Sequence, residues 1–210
     1  GAALRDLTAT NPNVNVLDFG LVFDHHGRDA LVSRAFWYAG RIPYTTLWFE
    51  ECGAHLAGLL GAVAGGSRKV LVCDLDDTLW GGVLGEEGPG GIVLGEDGVG
   101  KCFRDLQRRI KALQEIGVLV AVVSKNDRDD ALAVLADHPM MLLRPDDLAA
   151  LRVDWTDKVT NLRAIAAELS LGLDSFVFLD DNPVERALVA EHLPEVAVPE
   201  PPTRPELLPD

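Results

Sequence analysis

The chain has 210 residues, 48% hydrophobic and 25% charged, which suits one α/β domain with a sizeable core and a short appendage. Its 33 acidic and 19 basic residues give a formal net charge of −14, which argues against nucleic acid or an anionic membrane surface as a partner. Cys52, Cys73 and Cys102 form no C-x-x-C pair, so they point to a reducing cytoplasm rather than to a disulfide or zinc scaffold.

No signal-peptide pattern opens the sequence, and no apolar run reaches membrane-spanning length. Residues 1–13 read as a short helix and a loop. Val14 to Phe19 alternates enough for a strand, and its abrupt start is that of the last piece of an upstream domain. His25 and His26 are adjacent, point apart in any regular structure and have no partner ligands nearby, so they read as surface loop residues. The aromatic segment Phe36 to Tyr44 reads either as packing onto the main domain or as a lid or partner surface over a site. Thr45 to Val63 carries apolar residues at helical spacing, with Cys52 among them. Gly65-Gly66-Ser67 closes this N-terminal appendage, residues 1–66.

The main domain, 67–199, opens on Lys69-Val70-Leu71-Val72-Cys73-Asp74-Leu75-Asp76-Asp77-Thr78-Leu79-Trp80. Its apolar run predicts a buried parallel strand, and open α/β sheets place ligands at the carboxyl ends of such strands. Asp74 and Asp76, two apart on extended chain, lie on one side of it. Carboxylates that close repel unless a hard cation with oxygen ligands, Mg²⁺ above all, sits between them. The bland alternative is an Asp-rich loop that caps a helix.

Gly81 to Gly100 is glycine-rich, and Val83-Leu84 with Ile92-Val93-Leu94 predict a small β-hairpin flap. Gly100 to Ile116 is an amphipathic helix with Phe103, Leu106, Ile110 and Leu113 on its inner stripe. Val118 to Val123 is a second buried strand that ends in Ser124-Lys125-Asn126, whose hydroxyl and amide can bind phosphate oxygens. The bland alternative is an ordinary loop with Asn126 capping the helix that follows. Met140 to Leu143 predicts a third strand, and Asp146-Asp147 a cap. Thr156 to Leu169 predicts a helix with Lys158 near its start, against the dipole preference there, as expected if it faces phosphate. Ser175 to Leu179 is a fourth strand that runs into Asp180-Asp181-Asn182-Pro183. Bringing the two acidic strand ends together requires a doubly wound sheet with helices on both faces. The Pro-rich tail, 200–210, reads as a linker.

D-L-D-D-T-L-W resembles motif I of the haloacid dehalogenase superfamily of aspartate-dependent phosphotransferases. The strand ending in Ser124, the lysine Lys158 and F-L-D-D-N-P resemble its motifs II, III and IV. G-G-V-L-G-E-E-G after motif I, the W-Y-A-G-R-I-P segment ahead of it and D-D-N-P-V-E-R are similar to the FkbH-like branch. The resemblance covers residues from about 34 to 199. It implies a Rossmann-like fold with a flap that closes over the nucleophile. It also implies a Mg²⁺-dependent enzyme that takes 1,3-bisphosphoglycerate, a phosphorylated three-carbon substrate, removes phosphate and loads a glyceryl unit onto an acyl carrier protein for polyketide synthesis.

Carried onto this sequence, the resemblance makes Asp74 the nucleophile and Asp76 the acid and base. Asp74, the main-chain carbonyl of Asp76, Asp180 and Asp181 surround the metal. Lys158 and Ser124 balance charge on the phosphoryl group, and Thr78, Lys125 and Asn126 bind substrate. Many members of the branch carry cysteine where this chain has Leu75 and Leu84, so the acyl-accepting thiol falls to Cys73 or Cys102, or to the carrier protein itself. A plain phosphatase on a small phosphate ester or phosphoprotein, and a non-catalytic carrier-protein-binding domain, are the alternatives.

Overall fold

The computed structural model describes residues 16–17, 19–61 and 66–208. They fall into two units, 1–67 and 68–210.

The first unit is helical: α1 Gly20–His26, α2 Arg28–Leu31, α3 Arg34–Gly40 and α4 Thr46–Gly61. Ser33 accepts from the amide of Phe36 at 3.4 Å and so starts α3, and Arg41 in the left-handed region (φ 60°) ends it. Val22 and Leu31 are buried, and Trp48 packs against Phe19 and stacks on Tyr44 with ring centroids 4.3 Å apart. The helix expected from Thr45 is α4. Of the strand expected over 14–19, residues 14, 15 and 18 lie outside the described residues, and Val16 and Leu17 are not in a strand. The helix and loop expected over 1–13 lie outside them as well. His25 and His26 end α1 rather than sit in a loop, and His26 Nε2 meets Glu51 Oε1 at 3.1 Å.

The second unit is a parallel sheet of β1 Val70–Cys73, β2 Leu119–Ser124, β3 Ala150–Val153 and β4 Phe176–Leu179, in the order β3-β2-β1-β4. Its helices are α5 Leu84–Glu87, α6 Gly98–Glu115, α7 Arg128–Asp137, α8 Lys158–Leu169 and α9 Pro183–His192. The apolar runs of β1 and β2 are buried on both faces. Cys73, Val120 and Val122 join one core cluster with Phe103 and Ile110 of α6, while Val70, Val72, Ala121 and Val123 join the other with Leu162 and Ile165 of α8. The chain winds outward from β1 through β2 to β3 and then returns to place β4 on the far side of β1. The order therefore reverses between β1 and β4, the place where such sheets hold ligands.

Three local expectations give way to packing. Met140 to Leu143 forms no strand, because the amides of Leu142 and Leu143 donate to Gln107 Oε1 of α6 at 2.8 and 3.2 Å. The wholly buried Gln107 also donates to the carbonyl of Leu79 at 2.8 Å, and the ladder on β2 is made instead by Ala150–Val153. The flap pairs as a single antiparallel bridge, Gly81 with Val93, and Leu84–Glu87 turns into helix α5. Leu113, expected on the inner stripe of α6, is 38% exposed.

The tail expected as a linker over 200–210 continues a strap that runs through residues 196–198 before it. Ala197 pairs in parallel with Val177 of β4, donating to the carbonyl of Phe176 at 3.0 Å and accepting from Phe178 at 2.8 Å. Val196 and Val198 pack on one core cluster, and Leu208, just past a 3-10 turn at Pro205–Leu207, packs on the other. These apolar side chains hold a segment whose composition alone reads as unstructured.

Candidate active site

Parallel register brings the acidic residues together. Cys73 pairs with Leu179, so Asp74 and Asp180 are the next residues on adjacent strands, and the amide of Asp74 donates to the carbonyl of Leu179 at 2.9 Å. After Asp74 the chain coils at once, with the carbonyl of Leu75 accepting from Leu79 at 2.8 Å. Thr78 Oγ1 accepts from the amide of Asp181 at 3.2 Å and fastens that coil to the end of β4.

Lys158 is the first residue of α8, which Asp157 caps by accepting from the amide of Thr160 at 2.8 Å. Lys158 is 3% exposed, and its ammonium lies 2.9 Å from Asp74 Oδ2 and donates to Asp180 Oδ2. Burial works against that charge, but Asp74 and Asp180 outweigh it and raise the pKa of Lys158. Burial, with Asp74 beside it, pushes Asp180 up, and Lys158 opposes the push only in part. Partial desolvation, together with Asp180, Asp74 and Asp77, pushes the carboxyl of Asp181 up to about 6.

Asp74, Asp180 and Asp181 bring carboxylate oxygens within 4.8 Å of one another. Among the described residues one ammonium, that of Lys158, pairs with Asp74 and Asp180, and Asp74 Oδ1 is buried with no hydrogen-bond partner. An orphaned buried oxygen and an excess of carboxylate over ammonium fit a hard divalent cation. The side chain of Asp76 is outside this cluster. Its Oδ1 accepts from Trp80 Nε1 at 3.0 Å and from the amide of Leu84 at 3.1 Å, and its Oδ2 accepts from Asn126 Nδ2 at 3.0 Å.

Ser124 and Asn126 are buried at the end of β2 and hydrogen-bonded to each other at 3.2 Å. Asn126 does not take the bland alternative of a helix cap. Asp127 caps α7 by accepting from the amides of Asp129 and Asp130, which leaves the Asn126 amide to reach Asp76. Lys125 does not reach the acidic cluster. Its ammonium pairs with Glu185 of α9 at 2.6 Å.

The two candidate thiols differ. Cys73 is wholly buried in the core face of β1, and burial first, then Asp74, pushes its thiol up to about 12. Strand alternation turns it away from the side where Asp74 meets Lys158, and a buried thiol with a raised pKa is a poor acyl acceptor. Cys102 lies in the second turn of α6 with its Sγ 3.8 Å from the carbonyl of Gly98.

Sequence reasoning missed two supports. Arg186 Nη1 donates to the carbonyl of Asp180 at 2.9 Å and to that of Asp181, holding the acidic loop from α9. Asp77 adopts φ 48° and accepts from the amide of Gly82 at 2.7 Å, holding the base of the flap. Arg186 stands in the D-D-N-P-V-E-R stretch, where its spacing from Asp180 was the available signal. The strap supplies a wall: Pro201 and Leu208 line a hollow with Thr78, Asp180 and Asp181. A wider, open hollow of about 340 Å³ lies in the first unit against Phe36, Ile42 and Tyr44, and it holds no carboxylate, ammonium or thiol.

The fold is a parallel four-stranded α/β sheet that matches a phosphatase domain of known structure. The chain is similar to the N-terminal part of the protein BF1531 from Bacteroides fragilis, a structure containing a phosphatase domain complexed with Mg. The two are 34% identical over 98% of this chain, with a TM-score of 0.90. This chain spans only 55% of that one. A haloacid dehalogenase family enzyme from Bacteroides thetaiotaomicron is 12% identical with a TM-score of 0.44, over 65% of this chain and 95% of that one. The 3-deoxy-D-manno-octulosonate 8-phosphate phosphatase of Moraxella catarrhalis is 16% identical with a TM-score of 0.39, over 71% and 79%. No protein-family model matches the sequence, and no curated protein matches it.

Proposed function

We propose that this chain is an aspartate-based, Mg²⁺-dependent phosphatase acting on a small phosphate ester. The observation that carries the reading is the convergence of Asp74, Lys158 and Asp180 at the β1/β4 reversal, with one oxygen of Asp74 left unpartnered. An oxygen of Asp74 attacks phosphorus as the bond to the leaving oxygen breaks, and Asp76 gives that oxygen its proton. Asp76 then takes a proton from the water that splits the acyl phosphate on Asp74. Lys158 and the Ser124 hydroxyl balance charge on the phosphoryl oxygens, and Thr78 holds the Asp181 amide in place. A Mg²⁺ ion held by Asp74, Asp180 and Asp181 would supply further positive charge to the phosphoryl group.

The FkbH-like sequence features extend this proposal to a glyceryl unit from 1,3-bisphosphoglycerate, delivered to an acyl carrier protein in the cytoplasm. Burial of Cys73 leaves Cys102 or the carrier's own thiol to accept the acyl group. Among the described residues no helix is long and apolar enough to cross a membrane.

The test is phosphate release from 4-nitrophenyl phosphate and from freshly generated 1,3-bisphosphoglycerate, with Mg²⁺ and with chelator. Intact-mass analysis of the chain and of an added carrier protein runs alongside. Mg²⁺-dependent release from either ester is expected. No release from any phosphate ester would overturn the phosphatase reading, and release without a glyceryl-mass adduct on either protein would overturn the transfer.

A further inference from the structure

We propose that Trp80 is a positioning residue for Asp76, and that the Asp76 carboxylate is the clasp joining the base of the flap to the end of β2. The proposal rests on the reading of Asp76 as the group that exchanges the proton.

Three donors from three segments fix this carboxylate. Oδ1 takes the indole N–H of Trp80 at 3.0 Å and the backbone N–H of Leu84 at 3.1 Å, and Oδ2 takes the amide of Asn126 at 3.0 Å. Oδ1 thus has two donors and Oδ2 one, which leaves Oδ2 the oxygen with room for a proton. The Trp80 side chain is wholly buried in the same cluster as Leu75, Leu79 and Phe103, and a buried indole N–H needs a partner. Here that partner is an acid two residues from the nucleophile, where a phenylalanine would have filled the core without making the bond.

The backbone carries the link onward. Trp80 bridges Asp76 directly, and Gly81 next to it makes the one antiparallel bridge of the flap, to Val93. A shift of the flap therefore moves both donors to Oδ1 and turns the carboxylate, while Asn126 holds Oδ2 from β2. The order of the flap and the aim of the acid are thereby one property.

The test compares Trp80→Phe, and replacement of Trp80 by its benzothiophene isostere, with the unaltered chain. The isostere keeps the bicyclic packing and lacks only the N–H. Two readouts are taken. The first is kcat/KM for glycerol 3-phosphate, whose alkoxide needs a proton to leave, against 4-nitrophenyl phosphate, whose phenolate does not. The second is deuterium uptake by amides 81–94. The expected result is a loss of about 10- to 100-fold on the alkyl phosphate, at least several-fold larger than the loss on the aryl phosphate. Faster flap exchange is expected in both variants. Equal losses on the two esters, or kcat/KM within about twofold of the unaltered chain, would overturn the positioning role. Unchanged flap exchange in the folded isostere protein would overturn the clasp. Were the unaltered chain inactive on these and on every other phosphate ester, the phosphatase reading would fail by itself and flap exchange would still decide the clasp.

Discussion

Asp74 and Asp180 stand one residue past the paired positions Cys73 and Leu179 on adjacent parallel strands, and the Lys158 ammonium touches both. Register alone thus carries two buried acids to the same point. Each needs a positive charge that the sheet does not supply.

Asp74→Asn keeps shape and volume and removes the nucleophile. Turnover of any phosphate ester should fall by at least about 10³-fold with the circular dichroism spectrum unchanged. Phosphate release measured on both proteins checks this, and a variant that still turns over at a tenth of the rate would place the nucleophile elsewhere.

Lys158→Met leaves Asp74 and Asp180 buried without their ammonium. Losing one partner of a buried ionic group costs about 3–5 kcal/mol. Urea unfolding in chelator should show a loss of that size, and Mg²⁺ should recover part of it. Were the loss under about 1 kcal/mol, the pair would be better solvated than its burial indicates.

Cation binding should depend on pH through Asp181, whose carboxyl is pushed up to about 6. A carboxyl with a folded pKa above its unfolded value binds protons better when folded. Cation-free stability from this group is therefore lost as pH rises from about 4 through 6. A divalent cation replaces that proton, so the rise in melting temperature on adding Mg²⁺ should be larger at about pH 7.5 than at about pH 5. An equal rise at both would remove Asp181 from the cation's partners.

Gln107 lies outside the chemistry, yet its amide joins the carbonyl of Leu79 to the amides of Leu142 and Leu143. Gln107→Leu keeps the volume and leaves those backbone groups unpaired in the core, at a cost of about 1–3 kcal/mol for each. Denaturant unfolding is expected to show a loss of a few kcal/mol, and a loss below about 1 kcal/mol would mean that water takes the place of the amide.

What the sequence disclosed follows from the physics of each segment. Val70 to Cys73 and Phe176 to Leu179 announce themselves because strands covered on both faces must be apolar throughout, and each ends in acid. Met140 to Leu143 has the same composition, but its amides are claimed by Gln107, one side chain more than thirty residues earlier, and no local pattern shows that. Asn126 looked like a cap because amides often are, and only the side chain of Asp127 decides which of two neighbours does the capping. Trp80, read as part of a motif, gains its further meaning from a bond to Asp76 that depends on how the chain coils after β1. The strap escaped notice because Pro and acidic residues outnumber the few anchors, Val196, Val198 and Leu208, that hold it.

The strap also divides labour within the hollow. Pro201 and Leu208 wall it without adding charge, while the carboxyls of Asp180 and Asp181 supply the charge. Its width is therefore set by side chains that take no part in the chemistry.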